Sequence, residues 1–167
     1  MSPDTEKKHM FQQMEDHLRH QGFTIAQQDQ SRPWGGFYVI EESQARRFAD
    51  SYFAGITLEE LQSTRKLSPK VLLVAPHQRL SWQYHHRRAE IWRVVRGTVG
   101  IITSQTDEEG ELQLFSPGEL IVLAQGERHR LVGLSEWGVI AEIWLHTDAD
   151  HPSNEEDIVR VQDDFGR

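Results

Sequence analysis

Four side chains in this sequence have the types and the spacing to hold a metal ion. In LSWQYHHRRAEIW, Gln83 and His85 stand two apart, so on an extended strand both leave the same face, and a tight turn separates them from Glu90. His129 follows the turn Ala124-Gln125-Gly126 and opens a further run, HRLVG. Two imidazoles, one carboxylate and one amide oxygen would form a mixed nitrogen and oxygen site suited to zinc, manganese, cobalt, nickel or iron(II). The same residues admit a second reading, with Gln83 and His85 as ordinary exposed strand residues and Glu90 paired to a nearby arginine. His86 alternates to the opposite face and is read as a surface or packing residue.

These residues need strands to bring them together, and the pattern after Pro69 provides them. Eight short apolar and β-branched runs follow one another with polar turns between: KVLLVAP, LSWQYH, EIWRVV, TVGIIT, ELQLF, ELIVLA, HRLVG and GVIAEIWLH. So many short strands in so few residues predict an all-β closed barrel or double-sheet jelly roll. Helices are expected only in the first 65 residues. Met10, Phe11, Met14 and Leu18 mark one amphipathic helix over Thr5–Gln21, capped by Asp4 or Thr5 and ended by Gly22. A second helix is predicted over Gln44–Phe53 with Ser43 as its cap, and a capping box of Thr57 with Glu60 opens a third, short turn. The acidic run from Asp148 to Asp157 reads as a solvated surface crossing, with closure over the barrel mouth as the alternative.

A chain of 167 residues is the size of one domain and can bury a core without staples. The division expected is a helical extension at 1–30, a helical insertion at 42–67, a barrel core at 70–147 and a tail at 148–167. The absence of cysteine excludes disulfides, thiolate catalysis and sulfur-ligated zinc. The net charge of −8 argues against general nucleic-acid binding, which needs clustered cations. The amino terminus lacks the apolar core of a signal peptide, and no run approaches the roughly 20 apolar residues of a membrane span. A cytoplasmic protein acting on small molecules is the expectation.

Three segments resemble the cupin domain of type II mannose-6-phosphate isomerases, which often occurs fused to a mannose-1-phosphate guanylyltransferase. They are RPWGGFYVI from Arg32, the block RLSWQYHHRRAEIWRVVRGTVGI with FSPGELIVLAQGERHRL, and the ending EEDIVRVQDDFGR. The resemblance implies a cupin barrel, the double-stranded β-helix, here as a stand-alone domain with no nucleotidyl transfer. It places Gln83, His85, Glu90 and His129 at the ligand positions of one divalent metal, zinc first among the candidates. His77, Ala124 and Gly133 stand where that family has glycine, proline and asparagine, and residues 1–30 and 42–67 have no counterpart in its pattern. The insertion falls between two strands that should be neighbours, so it could cover or reshape the pocket.

An aldose-ketose isomerase must move a proton between C1 and C2 while charge on the oxygens is stabilised, so it needs a base beside an electrophile. Glu142 shares a strand face with Ile140 and Trp144 and, by the resemblance, points into the pocket as that base. Arg130, from a His-Arg pair the family repeats, is assigned to phosphate or enediolate stabilisation, and Lys70 is a candidate acid or base. Arg32 and Arg88 are candidates for phosphate; Trp34, Trp82 and Trp92 could stack on a sugar, although tryptophan in a small barrel is more often core. The function expected is isomerisation of a sugar phosphate, mannose 6-phosphate to fructose 6-phosphate. The alternatives are another sugar substrate or a sugar-binding cupin without turnover. Apolar surface on the Gln44–Phe53 helix further suggests a homodimer.

Overall fold

The structure, a computed structural model, describes residues 2–57 and 66–167. Glu60, and with it the capping box expected at Thr57, lies outside the described residues. The chain runs through α1 (Pro3–His20), β1 (Ile25–Asp29), β2 (Gly35–Ile40), a 3-10 turn at Glu42–Gln44 and α2 (Ala45–Tyr52). It continues through β3 (Lys70–Val74), β4 (Trp82–Tyr84), β5 (Arg88–Arg96), β6 (Val99–Ser104) and β7 (Gln113–Phe115). It ends with β8 (Leu120–Leu123), β9 (Arg128–Gly133), β10 (Gly138–His146) and β11 (Val159–Gln162). The eight expected runs become β3 to β10. They pair antiparallel in two sheets, ordered β1-β2-β3-β10-β5-β8 and β11-β4-β9-β6-β7.

Helix α1 begins two residues earlier than its pattern predicts, because Ser2 caps it instead of Asp4 or Thr5. The Ser2 hydroxyl accepts the Thr5 N–H at 3.2 Å, and Pro3 sits in the first turn, where its missing N–H has no helical partner to lose. Helix α2 has no side-chain cap, and the preceding 3-10 turn at Glu42–Gln44 takes the place of the Ser43 cap. Glu42 instead reaches across to accept the N–H groups of Leu67 and Ser68, which closes the insertion onto the start of β3. β1 escapes sequence reading because IAQQD is polar and lies at a sheet edge, where among the described residues it pairs with β2 alone.

Two apolar layers explain why KVLLV and GVIAEIWLH show no alternation. Inward residues of the larger sheet, among them Leu72, Val74, Trp92 and Ile140, meet Val99, Ile101 and Leu131 of the smaller one. Outward residues Val71, Leu73, Ile91, Val139, Ala141 and Ile143 are covered by Phe11, Leu18, Phe48 and Phe53 of the helical segments. Strands buried on both faces read as continuous apolar runs. Helix α2 of the insertion therefore lies on the outside of the barrel, across the sheet from the pocket. Its apolar face, the reason for expecting a homodimer, is buried within the chain, since Ala45, Phe48, Ala49 and Phe53 are at most 5% exposed. Phe48→Ala is expected to cost about 3–5 kcal/mol in urea unfolding while metal binding is retained, because the side chain lies across a sheet from the pocket. A cost below about 1 kcal/mol would refute that packing.

Two of the departures from the family pattern have local reasons. His77 adopts φ 61°, the left-handed conformation a glycine takes readily. At Gly133 a Cβ would stand 2.0 Å from the Ala75 carbonyl oxygen, so asparagine cannot occupy this close approach of backbones.

Candidate metal centre

Gln83 on β4 lies directly opposite His129 on β9, while Glu90 comes from β5 in the facing sheet. The barrel closure brings His85, Glu90 and His129 together with one ligand atom each, all within 4.8 Å of one another and all three buried. Glu90 Oε1 is 3.2 Å from His129 Nε2 and Glu90 Oε2 is 3.7 Å from His85 Nε2. On the far side of each ring, Nδ1 faces a backbone carbonyl, that of Asp157 at 2.7 Å for His85 and that of Glu127 at 3.1 Å for His129. A carbonyl only accepts, so each Nδ1 carries the proton and each Nε2 keeps a lone pair on the side of Glu90, that of His85 also lying 3.3 Å from the Arg88 Nη2 donor.

Such a convergence of acceptors fits a cation. Glu90 Oε1 is buried without a hydrogen-bond donor. Burial pushes the Glu90 carboxyl up, but its polar neighbours, the Arg88 guanidinium first, hold it well below the usual carboxylate range. Burial depresses His85 to about 4, so the ring is neutral and available as a ligand at physiological pH. Gln83 borders the cluster, its Nε2 3.4 Å from His85 Nε2 and 3.5 Å from His129 Nε2, and its Oε1 accepts from Ser81 Oγ. Ligation through Oε1 requires the amide to turn over, with the Ser81 hydroxyl then accepting from Nε2.

Arg88 turns out to serve Glu90. Its Nε donates to Glu90 Oε2 at 2.9 Å, its Nη1 donates to Ser153 Oγ and the Asn154 carbonyl, and the guanidinium lies 3.6 Å from the Trp144 ring centroid. The arginine pairing that competed with metal ligation for Glu90 thus coexists with the histidine cluster. An open cavity of about 80 Å³ adjoins the cluster, and Gln83, Glu90, Glu142, Lys70, Trp34 and Arg32 all reach it. The two imidazoles sit behind Gln83 and Glu90.

Glu142, from β10, is held by two indoles. Trp92 Nε1 donates to its Oε2 at 2.7 Å and Trp144 Nε1 to its Oε1 at 2.9 Å. Burial first, and then the charge of Glu90, raise its carboxyl to about 7. Lys70 stands in register with Glu142 across the β3–β10 pair, lies over the Phe37 and Trp144 rings and is paired to Glu155. Arg130 is not brought to the pocket. Alternation along β9 sends it to the other face, where it is 1% exposed, donates to the Leu80 carbonyl and Glu109, and joins β9 to Gln162. Trp82 is buried with its indole donating to the Asp107 carbonyl, whereas Trp34 and Trp92 line the cavity.

The residues that sequence reasoning missed lie in the tail. Instead of crossing the surface freely, residues 153–157 close onto the site. Asp157 accepts from the His86 and Arg87 N–H groups, each at 2.9 Å, and from Ser153 Oγ, and so fixes the carbonyl that orients His85. Burial raises its carboxyl, but the Ser153 hydroxyl and those backbone donors outweigh it and bring it to about 2. Asp157→Ala is expected to lower metal affinity about 10- to 100-fold in chelator competition, as outer-shell partners of ligating histidines typically do; unchanged affinity would sink the role. Arg160 and Arg167 also line the cavity. Their signal in the sequence is the ending EEDIVRVQDDFGR, which carries part of the family resemblance.

The comparisons with known proteins agree with this architecture. The mannose-1-phosphate guanylyltransferase ManC of Salmonella typhimurium is 30% identical over 136 residues, 81% of this chain and 22% of that protein. The xanthan biosynthesis protein XanB of Xanthomonas campestris is 27% identical over 136 residues, 81% of this chain and 23% of that protein. The chain thus spans less than a quarter of the length of these relatives. Among solved structures, a variant of the Bacillus subtilis oxalate decarboxylase OxdC superposes with a TM-score of 0.55 at 12% identity, over 80% of this chain and 30% of that one. KdgF from Halomonas sp. gives 0.50 at 15% identity, over 74% of this chain and 90% of that one. At these identities the likeness is one of fold, and the fold is that of a cupin. The profile described as mannose-6-phosphate isomerase C-terminal matches residues 46–163, most of the chain, and the chain belongs to that family.

Proposed function

We propose that this protein is a metal-dependent aldose-ketose isomerase of a sugar phosphate, converting mannose 6-phosphate to fructose 6-phosphate, with zinc first among the ions its ligands suit. The observation that carries the reading is Glu142, a carboxyl raised to about 7 in the cavity that the buried His85, Glu90 and His129 cluster meets through Glu90. Gln83, His85, Glu90 and His129 would hold a divalent ion, which would supply Lewis acidity to the reacting oxygens of the sugar. Glu142, ionised near neutral pH, takes the proton from C2 and returns it to C1. The Trp92 and Trp144 indoles fix its two oxygens, so the carboxylate is oriented before substrate enters. Lys70, in register with Glu142 and released from Glu155 by an incoming sugar, passes the hydroxyl proton from O2 to O1. Trp34 supplies an apolar wall for the sugar.

The decisive experiment is an isomerase assay on metal-loaded protein with mannose 6-phosphate, free mannose, lyxose and other sugar phosphates. Turnover of mannose 6-phosphate is expected. Turnover of none, with sugar binding retained, would leave a sugar-binding cupin and overturn the enzymatic reading.

A further inference from the structure

Beside the metal-side cavity runs a second groove of about 430 Å³, which passes β1, the end of β2 and the start of β3 and reaches the tail at Ser153 and Asn154. Among the described residues, Lys70 and Glu155 are the two side chains that line both spaces, so their ion pair stands where the two meet. The partners have unlike surroundings. The Lys70 side chain is 7% exposed and that of Glu155 is 55% exposed. Lys70 is fixed at its backbone from both sides, opposite Val39 of β2 and Glu142 of β10. Its ammonium lies 4.4 Å from the Phe37 ring centroid and 4.9 Å from that of Trp144.

The tail backbone on either side of Glu155 is pinned. The Ser153 N–H donates to His146 Nδ1 at 2.8 Å, the Asn154 carbonyl accepts from Arg88, and Asp157 accepts from the His86 and Arg87 N–H groups. Glu155 can therefore leave Lys70 by rotation of its own exposed side chain, a fast motion that needs no shift of the chain beneath it. Contact with two ring faces keeps the Lys70 ammonium in place when the carboxylate departs. An ion pair with one partner half in water is weak, because solvent competes for the charge, so it opens readily. Closed, the pair divides cavity from groove; open, it merges them and leaves the ammonium to an oxygen acceptor of whatever enters.

We propose that Glu155 is an ionic latch, which holds Lys70 and separates the metal-side cavity from the groove until its side chain swings into solvent and joins the two. The inference rests on the ion pair and the two spaces it divides, and it stands apart from the isomerase reading. Acetic anhydride, which acylates a free amine, is the probe, with the rate at Lys70 read by peptide mass spectrometry against the exposed Lys8 of the same chain. Glu155→Ala and Glu155→Gln are each expected to speed Lys70 acylation about 2- to 5-fold over wild type, the span of a partly exposed ion pair. Glu156→Gln, the exposed neighbour, should match wild type. Raising salt from about 0.1 to 1 M, which shortens the screening length from about 10 Å to about 3 Å, should speed acylation in wild type and leave both Glu155 variants unchanged. Packing alone would give no such salt dependence. Equal Lys70 rates in wild type and both Glu155 variants would overturn the latch, as would a wild-type rate indifferent to salt. Faster acylation in Glu155→Ala with a wild-type rate in Glu155→Gln would also overturn it, since bulk and not charge would then be the barrier.

Discussion

Glu142→Gln is expected to lower kcat for isomerisation by about 10²- to 10⁴-fold, the usual contribution of a positioned general base, with KM and metal content little changed. Glutamine keeps the shape, and its amide oxygen still accepts from one of the two indoles while its amide nitrogen meets the other, so retained metal content and a folded core in the variant assign the loss to the missing base. The pH dependence follows from the carboxyl at about 7 in the metal-free protein. Below that value Glu142 is protonated and cannot accept the C2 proton, so the rate falls with falling pH. A bound divalent ion favours the carboxylate, which places the acid limb of the loaded enzyme below 7. In the metal-free protein the titration can be read directly, since tryptophan fluorescence should change with a midpoint of about 7 and Glu142→Gln should abolish the change. The linkage to stability has the opposite sense. The folded pKa is raised, so the folded state binds this proton more tightly than the unfolded chain. The contribution of Glu142 is fully present below about 4.5 and is lost as pH rises through about 7. The variant, which has no such proton to bind, should lose the part of the stability change between about pH 4.5 and 7 that Glu142 causes, while being far less active. Retention of more than about a tenth of the activity would remove Glu142 from the chemistry.

His129→Ala should have the second large effect, on the ion itself. Loss of a ligating imidazole is expected to reduce metal affinity by more than the roughly 10- to 100-fold that outer-shell partners contribute. In wild-type protein, metal at about 100 times its Kd should add about 2.7 kcal/mol to unfolding stability, and that increment should vanish in His129→Ala. His85→Ala should behave alike, because its Nε2 faces the same Glu90 carboxylate. Glu90→Ala is the less clean probe, since it would also leave Arg88 buried without its carboxylate, a loss of about 3–5 kcal/mol on its own. Full metal stoichiometry by elemental analysis in both histidine variants would remove the metal centre from the account.

The local signals in the chain went a long way toward the fold. Short apolar and β-branched runs with turn residues between them carry the strands β3 to β10, and the spacing of Met10, Phe11, Met14 and Leu18 carries α1. The grouping of Gln83, His85 and Glu90 was approachable because a two-residue offset and a short turn are local geometry, and the likeness to a known motif reinforced it and tied His129 to the three. β1 and β11 were not legible, since a short polar edge strand differs little from a loop until its partner is known.

What the sequence by itself determined is which residues carry donors, acceptors and charges, and which faces of each element are apolar. Which of these meet was decided by the barrel, because register and sheet order set distances between residues far apart in the chain. Arg130 follows a candidate ligand directly, yet strand alternation turns it away to bind Glu109. Asp157 and Arg160 lie in an acidic tail with no periodic pattern, yet β11 pairs with β4 and carries them to the site. Such placements depend on long-range pairing and burial, which no window of neighbouring residues encodes.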